Sequence, residues 1–378
     1  MRRLPVMAIF LIALSSGARA AEFTVGMVMP MTGGGAETGK ENVASAKAAV
    51  ALVNQRGGIG GMKAVISICD SQSMEQQAVL CARRLISEKA NMILGAASTP
   101  QTLAITPAIT SGGIPLFSIA AGITVYRPVK KWVFKAIQAN EDAVSANVEY
   151  FKQKNLKRIA IIRDNGPFGA DVADQFKAVA AKGGFEIIAD ESYAPTDFDM
   201  TPQISRVRSL KPDAIIAYSL THPIAAAIVK KITQLGIEAP VFVSANMQNM
   251  AFVKLVGDAA SQVVFIGQKV ALSELSKDDP LFDNISQFRK EFMQISGGEE
   301  PNSLSPNAAD PLLLVQAAAK DLGEKALQPA ALLSALEALK DAKGVQGIWS
   351  FSPESHESSL KAGAAAIRYV NGKWQAAQ

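Results

Sequence analysis

The sequence of 378 residues is poor in cysteine and histidine, with two of each, and only 6% of it is aromatic. Cys69 and Cys81 lack C-x-x-C spacing, and His222 and His356 stand far apart. That leaves no ligand set for zinc, and no metal or cofactor is expected. Basic clusters are also missing. The pairs Lys130-Lys131 and Lys230-Lys231 are too short to neutralise a phosphate backbone, so nucleic acid is not an expected partner. There is no G-x-S-x-G motif, which argues against a serine hydrolase. Beyond the first twenty residues no apolar run approaches the ~20 residues of a membrane-spanning helix.

The N-terminus is different. Arg2 and Arg3 precede an apolar run from Leu4 to Leu14, and Ala18-Arg19-Ala20 closes it with small residues. Residues 1–20 read as a secretory signal cut between Ala20 and Ala21. The first cysteine after that cut is Cys69, so no lipid attachment is expected. Without Arg2, Arg3 and Arg19 the net charge falls to about +1. About 358 residues remain, more than one typical core, and two domains are expected. In an oxidising compartment Cys69 and Cys81 form one candidate disulfide, at the end of a strand and in the helix after it. Two buried thiols are the alternative, because disulfide geometry is strict.

Apolar runs of strand length alternate with helical patterns. Strands are predicted at Phe23–Val28, Ala64–Cys69, Met92–Leu94 and Pro115–Ser118, with helices at Val43–Gln55, Glu75–Glu88 and Gln101–Ser111. The rhythm resumes with strands at Arg158–Ile162, Phe185–Ala189, Ala214–Tyr218, Val241–Ser244 and Val263–Gly267. Helices at Ala170–Lys182, Thr201–Leu210 and Pro223–Leu235 lie between them. Near-continuous Ile/Val/Ala strands predict parallel sheets covered on both faces, an α/β doubly wound architecture. The tail departs from this. Helices at Leu281–Ile295, Ala308–Leu322 and Pro329–Lys340 come in succession, then short strands at Gly347–Phe351 and Ala364–Tyr369. Such a tail predicts a chain that re-enters earlier domains. Ligands of open α/β sheets bind beyond the carboxyl ends of the strands, which directs attention to the loops there.

Gly34 to Lys40 imitates a phosphate-binding loop, but Glu41 stands where that motif needs a hydroxyl for magnesium. The loop Gly95-Ala-Ala-Ser98-Thr99-Pro100 carries more weight. Small residues end a strand, two hydroxyls follow, and a helix begins near Pro100. That is an anion site at a helix N-terminus or an ordinary N-cap. Ser118-Ile119-Ala120-Ala121-Gly122 ends the next strand and is also built of small residues.

At these residues the chain resembles the periplasmic solute-binding proteins of leucine/isoleucine/valine-type ABC transporters, over nearly its whole length. The matching stretches are Val25–Gly33 (VGMVMPMTG), Val53–Gly61 (VNQRGGIGG), Gly113–Leu116 (GIPL) and Arg158–Ile162 with Phe168-Gly169. Phe198–Gln203 (FDMTPQ) and Leu210–Ala214 (LKPDA) continue the series in the same order and spacing. The resemblance implies a type I periplasmic binding protein fold: two doubly wound Rossmann-like lobes joined by three hinge crossovers, with a ligand cleft between them. It places lobe 1 at 22–140 plus 270–350, and lobe 2 at 141–269 plus 351–378.

It also implies a site. The carboxylate-binding hydroxyl falls on Thr99 with Ser98 beside it, and the backbone cradle on Ala120, Ala121 and Gly122. Phe168 takes an aromatic position, and Thr38 and Thr221 take positions that are tyrosine in some relatives. Amino-acid-binding members carry an acidic side chain after the Val241–Ser244 strand. Here that position is Ala245, followed by Asn246. A buried ammonium without a counter-charge costs several kcal/mol. The implied ligand is therefore a small organic carboxylate with an apolar or aromatic body and no α-ammonium. A hydrophobic amino acid or amide is the alternative within the family. The implied protein is no enzyme but a monomeric periplasmic carrier that hands its ligand to an inner-membrane ABC permease with cytoplasmic ATPase subunits. A ligand sensor of the same fold and a cofactor-free hydrolase using His222 are the other classes.

Overall fold

The computed structural model describes residues 21–377 except 121, 139, 195, 196, 198, 220, 221 and 358–362. The signal segment 1–20, Ala121, Thr221 and Phe198 therefore lie outside the described residues.

The first lobe opens with β1 (Glu22–Met29), α1 (Ala36–Gln55), β2 (Lys63–Asp70), α2 (Glu75–Ser87) and β3 (Met92–Gly95). It continues with α3 (Thr99–Gly112), β4 (Leu116–Ser118) and β5 (Val133–Lys135). These strands form a parallel sheet in the order β2-β1-β3-β4-β5. Alternate residues feed opposite faces, as strand geometry requires. Met27, Leu94, Phe117 and Phe134 enter one core, whereas Val28, Ile93, Leu116 and Val133 enter the other.

The second lobe runs α4 (Asn140–Lys154), β6 (Arg158–Asp164), α5 (Pro167–Gly183), β7 (Glu186–Tyr193) and α6 (Thr201–Ser209). Then come β8 (Ala214–Ile216), α7 (His222–Gln234), β9 (Val241–Val243), α8 (Met250–Val256) and β10 (Val263–Gln268). Every residue of β8, β9 and β10 is buried, which explains their unbroken apolar runs.

The tail then returns. α9 (Phe282–Ser296), α10 (Ala309–Ala318) and α11 (Pro329–Glu337) place Phe288, Leu312 and Leu332 in the first-lobe core. A small hairpin of β11 (Ala342–Lys343) and β12 (Ile348–Trp349) follows. Only then do β13 (Ala364–Val370) and β14 (Lys373–Ala376) join the second sheet, whose order is β14-β13-β10-β9-β8-β6-β7. The chain thus passes between the lobes three times.

The last passage begins later than residue 351. Phe351 lies edge-on to Phe134 at 5.3 Å, and His356 stacks on Phe134 at 4.0 Å. The backbone N–H of Lys135 donates to His356 O at 2.9 Å. Residues 351–357 therefore pack with the first lobe, and the second regains the chain at β13. The elements β5, α4, α8 and β14 also go beyond the apolar pattern.

Polar contacts tie the crossovers. The Gln268 N–H meets Ser303 Oγ at 3.0 Å and Gln248 Oε1 at 3.2 Å, and the Gln268 amide donates to Gln138 Oε1. A Cβ on Gly267 would sit 1.8 Å from Gln248 Oε1, so a larger residue there would have to push the Gln248 side chain aside. Arg127 pairs with Glu357 and, at 3.2 Å, with Glu141 on the first turn of α4. Cys69 and Cys81 are joined as a disulfide, their Cα atoms 5.4 Å apart, pinning α2 to the end of β2.

Asp310 anchors the returning tail. It is fully buried in the first turn of α10. It accepts from Val345 N at 2.6 Å, Gln346 N at 3.0 Å and Trp349 Nε1 at 2.6 Å. Burial outweighs these donors and pushes its carboxyl from 3.8 up to about 7. A raised folded-state value gives stability that is present below the unfolded pKa and lost as pH rises through the folded one. Urea midpoints should therefore drift downward between pH 4 and 7. Asp310→Asn, which sets an amide against three donors, should lose about 2–3 kcal/mol and abolish that drift.

Candidate functional site at the carboxyl ends of the strands

In the first lobe β3 ends on Gly95, whose φ of +132° and approach to Val28 O (2.3 Å from an added Cβ) require glycine. α3 then begins. Ser98 is its N-cap, with Oγ accepting from Gln101 N at 3.5 Å, and Thr99 rather than Pro100 is the first helical residue. Pro100 has no N–H, and Thr102 N donates to Ser98 O at 2.9 Å. The Thr99 N–H is the remaining donor of that turn. The Thr99 hydroxyl oxygen accepts from Gly122 N at 3.2 Å, so its hydrogen points elsewhere. Among the described residues that hydrogen has no acceptor.

Sequence expectation and structure part company at the backbone cradle. Ala120 N donates to Ser118 Oγ at 3.1 Å, and Gly122 N is taken by Thr99. Tyr126 donates from its hydroxyl to Ala120 O, and burial pushes that phenol up. The loop is thus stitched to itself, which leaves the Thr99 N–H and hydroxyl hydrogen as its free donors among the described residues. Gly122 is dictated by the same contact. A Cβ there would lie 2.3 Å from Thr99 Oγ1, so no threonine fits.

Thr38 is exposed in the first turn of α1, its carbonyl accepting from Asn42 Nδ2 at 2.8 Å. The loop before it is held by Asp70, which accepts from Met31 N at 2.8 Å, Thr32 Oγ1 at 2.7 Å and Gln72 N at 2.8 Å. Glu41 accepts from Ser305 Oγ at 2.9 Å, and burial raises its carboxyl. The phosphate-loop imitation is thereby accounted for as packing between α1 and the returning tail.

In the second lobe Phe168 is half-buried on the first turn of α5 and packs against the core beneath that helix. Ala245 and Asn246 lie in a 3-10 turn after β9, both partly exposed. Ser244 Oγ sits 2.6 Å from Asn246 Oδ1. Asn246 O accepts from Asn249 Nδ2 at 2.9 Å and lies 3.1 Å from His222 Nε2. His222 thus serves this turn. His356, with ring nitrogens at 3.2 Å from Val133 O and from Glu337, serves the first-lobe core.

Asp164 and Tyr193 end the neighbouring strands β6 and β7, with Ser219 just beyond β8; Asp164 and Ser219 open two of the strand-end loops, and Tyr193 had no signal in the sequence. Asp164 faces Tyr193 in register, and the Tyr193 phenol beside Ser219 is pushed up by burial. The signal of Asp164 and Ser219 was positional: Asp164 is the last residue of its strand, and Ser219 lies three residues past the end of β8. Asp164 is 6% exposed, and its Oδ1 accepts from Gly166 N at 2.8 Å. Direct bonds unite Thr99 with Gly122 and Ser244 with Asn246. Among the described residues no hydrogen bond links the first-lobe pair to the second-lobe pair.

The Gly122–Thr99 contact is testable without a ligand. Gly122→Ala should cost about 1–3 kcal/mol in urea unfolding. In a Thr99→Ala background, which removes the obstructing hydroxyl, the cost should drop by at least half.

Two doubly wound sheets joined by three crossovers, with small residues and hydroxyls at the strand ends, define a two-lobed binding protein. The family model described as periplasmic binding protein matches residues 22–372, and the chain belongs to that family. A Leu/Ile/Val-binding protein of Rhizobium johnstonii is 24% identical over 65% of this chain and 67% of its own length. An extracellular ligand-binding receptor from Rhodopseudomonas palustris superposes with a TM-score of 0.75 at 25% identity, over 94% of this chain and all (100%) of its own. A branched-chain amino acid transporter substrate-binding protein from Streptococcus pneumoniae, solved with isoleucine, gives a TM-score of 0.73 at 22% identity, over 95% and 99% of the two chains. The fold is that of periplasmic binding proteins.

Proposed function

We propose that this protein captures a small organic carboxylate with an apolar or aromatic body, and no α-ammonium, between its lobes and delivers it to an ABC permease. The observation that carries this reading is the absence of an accessible acid at the second-lobe strand ends. Ala245 has a methyl group where amino-acid binders of the family carry an acidic side chain, and Ser244 to Asn249 contains no carboxylate. Asp164 does not substitute for it. It is 6% exposed, its Oδ1 accepts from Gly166 N within its own turn, and its Oδ2 is buried without a hydrogen-bond partner among the described residues, on a different strand end from Ala245. An ammonium placed here would be desolvated without a partner.

On the first lobe the Thr99 hydroxyl and N–H, at the positive end of α3, take the carboxylate. Phe168 packs on the body of the ligand, and Thr38, Thr221 and Asn246 read its polar periphery. Only the closed form touches the ligand from both sides, so binding shifts the population toward closure. The N-terminal signal and the family supply the setting: export to the periplasm and presentation of a monomeric, closed carrier to the permease. Family membership also supports binding rather than catalysis, since the relatives are solute-binding proteins.

Relatives named for leucine, isoleucine and valine favour a second reading, a branched-chain amino acid ligand. Titration calorimetry separates the two. Phenylpyruvate or 4-methyl-2-oxopentanoate should bind more tightly than phenylalanine or leucine. Thr99→Ala should weaken the acid by about 10–100-fold, the loss of a hydrogen bond to a charged group. Tight leucine binding with no response to the acids would overturn the proposal.

A further inference from the structure

Asn246 is a primary amide at the position that decides what the second lobe offers a ligand. An amide presents either a donor or an acceptor, and its neighbours choose which. Ser244 Oγ lies 2.6 Å from Asn246 Oδ1 and 3.3 Å from Ser219 O. The hydroxyl has one hydrogen. The 2.6 Å contact is the shorter of the two and has the usual O–H···O length. The hydrogen therefore goes to Asn246 Oδ1; in the turned-over amide Nδ2 would donate to Ser244 Oγ and leave the hydroxyl only the longer contact to Ser219 O.

The backbone of Asn246 is fixed as well. Its carbonyl accepts from Asn249 Nδ2 at 2.9 Å, and Asn249 is itself held because its Oδ1 accepts from Phe252 N at 2.9 Å as the cap of α8. His222 Nε2 at 3.1 Å reaches the same carbonyl. The residue is thus held at its backbone carbonyl and at its side-chain oxygen, which leaves Nδ2 as the free arm of the amide among the described residues. Asn246 is partly exposed, and among the described residues Nδ2 has no acceptor.

We infer that Ser244 is a positioning residue that holds the Asn246 amide as a hydrogen-bond donor, so that the ligand carries a second oxygen acceptor, such as a 2-oxo group, in addition to its carboxylate. This rests on the carboxylate reading above and deepens it. The polarity of this turn is then the inverse of that in an amino-acid binder: a donor stands beside Ala245, the position from which an acid would accept from ammonium. The inference also distinguishes between acids, because a simple alkanoate leaves Nδ2 without an acceptor on closure.

The test is calorimetric, with three ligands sharing one body: 4-methyl-2-oxopentanoate, 4-methylpentanoate and leucine, each against the full mature protein. The oxo acid should bind at least tenfold more tightly than either of the others. Ser244→Ala frees the amide to turn, and the preference for the oxo acid over leucine should shrink to within about threefold, with the thermal unfolding midpoint little changed. Ser244→Thr keeps the hydroxyl and should restore the preference. Asn246→Asp replaces the donor with a carboxylate and should move the preference toward leucine by at least tenfold. Equal affinity for the oxo acid and 4-methylpentanoate would overturn this inference and leave the carboxylate reading standing. Binding of none of the acids, or tighter binding of leucine by the unmodified protein, would overturn both.

Discussion

A parallel sheet has two apolar faces, and each must be covered. This constraint organises the whole molecule. On the first sheet α2 and α3 cover one face, but α1 alone does not cover the other. Phe23, Met27 and Phe117 would be left facing water without Phe288, Leu312 and Leu332, which arrive from beyond residue 280. The tail must therefore return, and a chain that has meanwhile built a second sheet returns through a crossover. Asp310 fixes the end of that path by gathering the N–H groups of the hairpin that follows it. The hinge follows from completing the first core.

The same constraint places the chemistry. With helices on both faces, the open ends of the parallel strands are where backbone and short side chains remain reachable. The first lobe ends its strands in Ser98, Thr99 and Gly122, and the second in Ser244, Ala245 and Asn246. Neither set carries an accessible acid. Both present hydrogen atoms: the Thr99 hydroxyl, whose oxygen is occupied by Gly122 N–H, and the Asn246 amide, whose oxygen is occupied by Ser244. A ligand rich in oxygen acceptors suits two such lobes. In the proposed closure the crossovers bend, and Gln268 ties two of them through its contacts with Gln138 and Ser303.

The sequence reveals the architecture more readily than the site. Buried strands such as β3, β8 and β10 stand out because both their faces are covered and their apolar runs are unbroken. The three-residue strand β5 beside Lys130-Lys131 does not, nor does α4, whose sequence NEDAVSANVEYFKQK is largely polar. The last crossover is misplaced in the sequence because the stacking of His356 on Phe134 has no local signature. At the site, Ser-Thr-Pro announces a helix start and so points to Thr99. That Gly122 exists to admit Thr99 Oγ1, or that Ser244 orients Asn246, depends on residues brought together by neighbouring strands. Ala245 is the exception: its departure from the family is legible in the sequence alone and decides the expected ligand.

The central claim is that ligand bound at the strand ends draws two lobes together about three crossovers. Spin labels on cysteines replacing Leu80 on α2 and Leu255 on α8, both exposed, report the separation of the lobes directly. The native Cys69–Cys81 disulfide leaves no thiol to compete for the label. Pulsed dipolar spectroscopy should show the distance distribution move to a new, narrower position when 4-methyl-2-oxopentanoate is added, saturating at the calorimetric stoichiometry. An unchanged distribution under conditions where calorimetry records saturation would contradict the account.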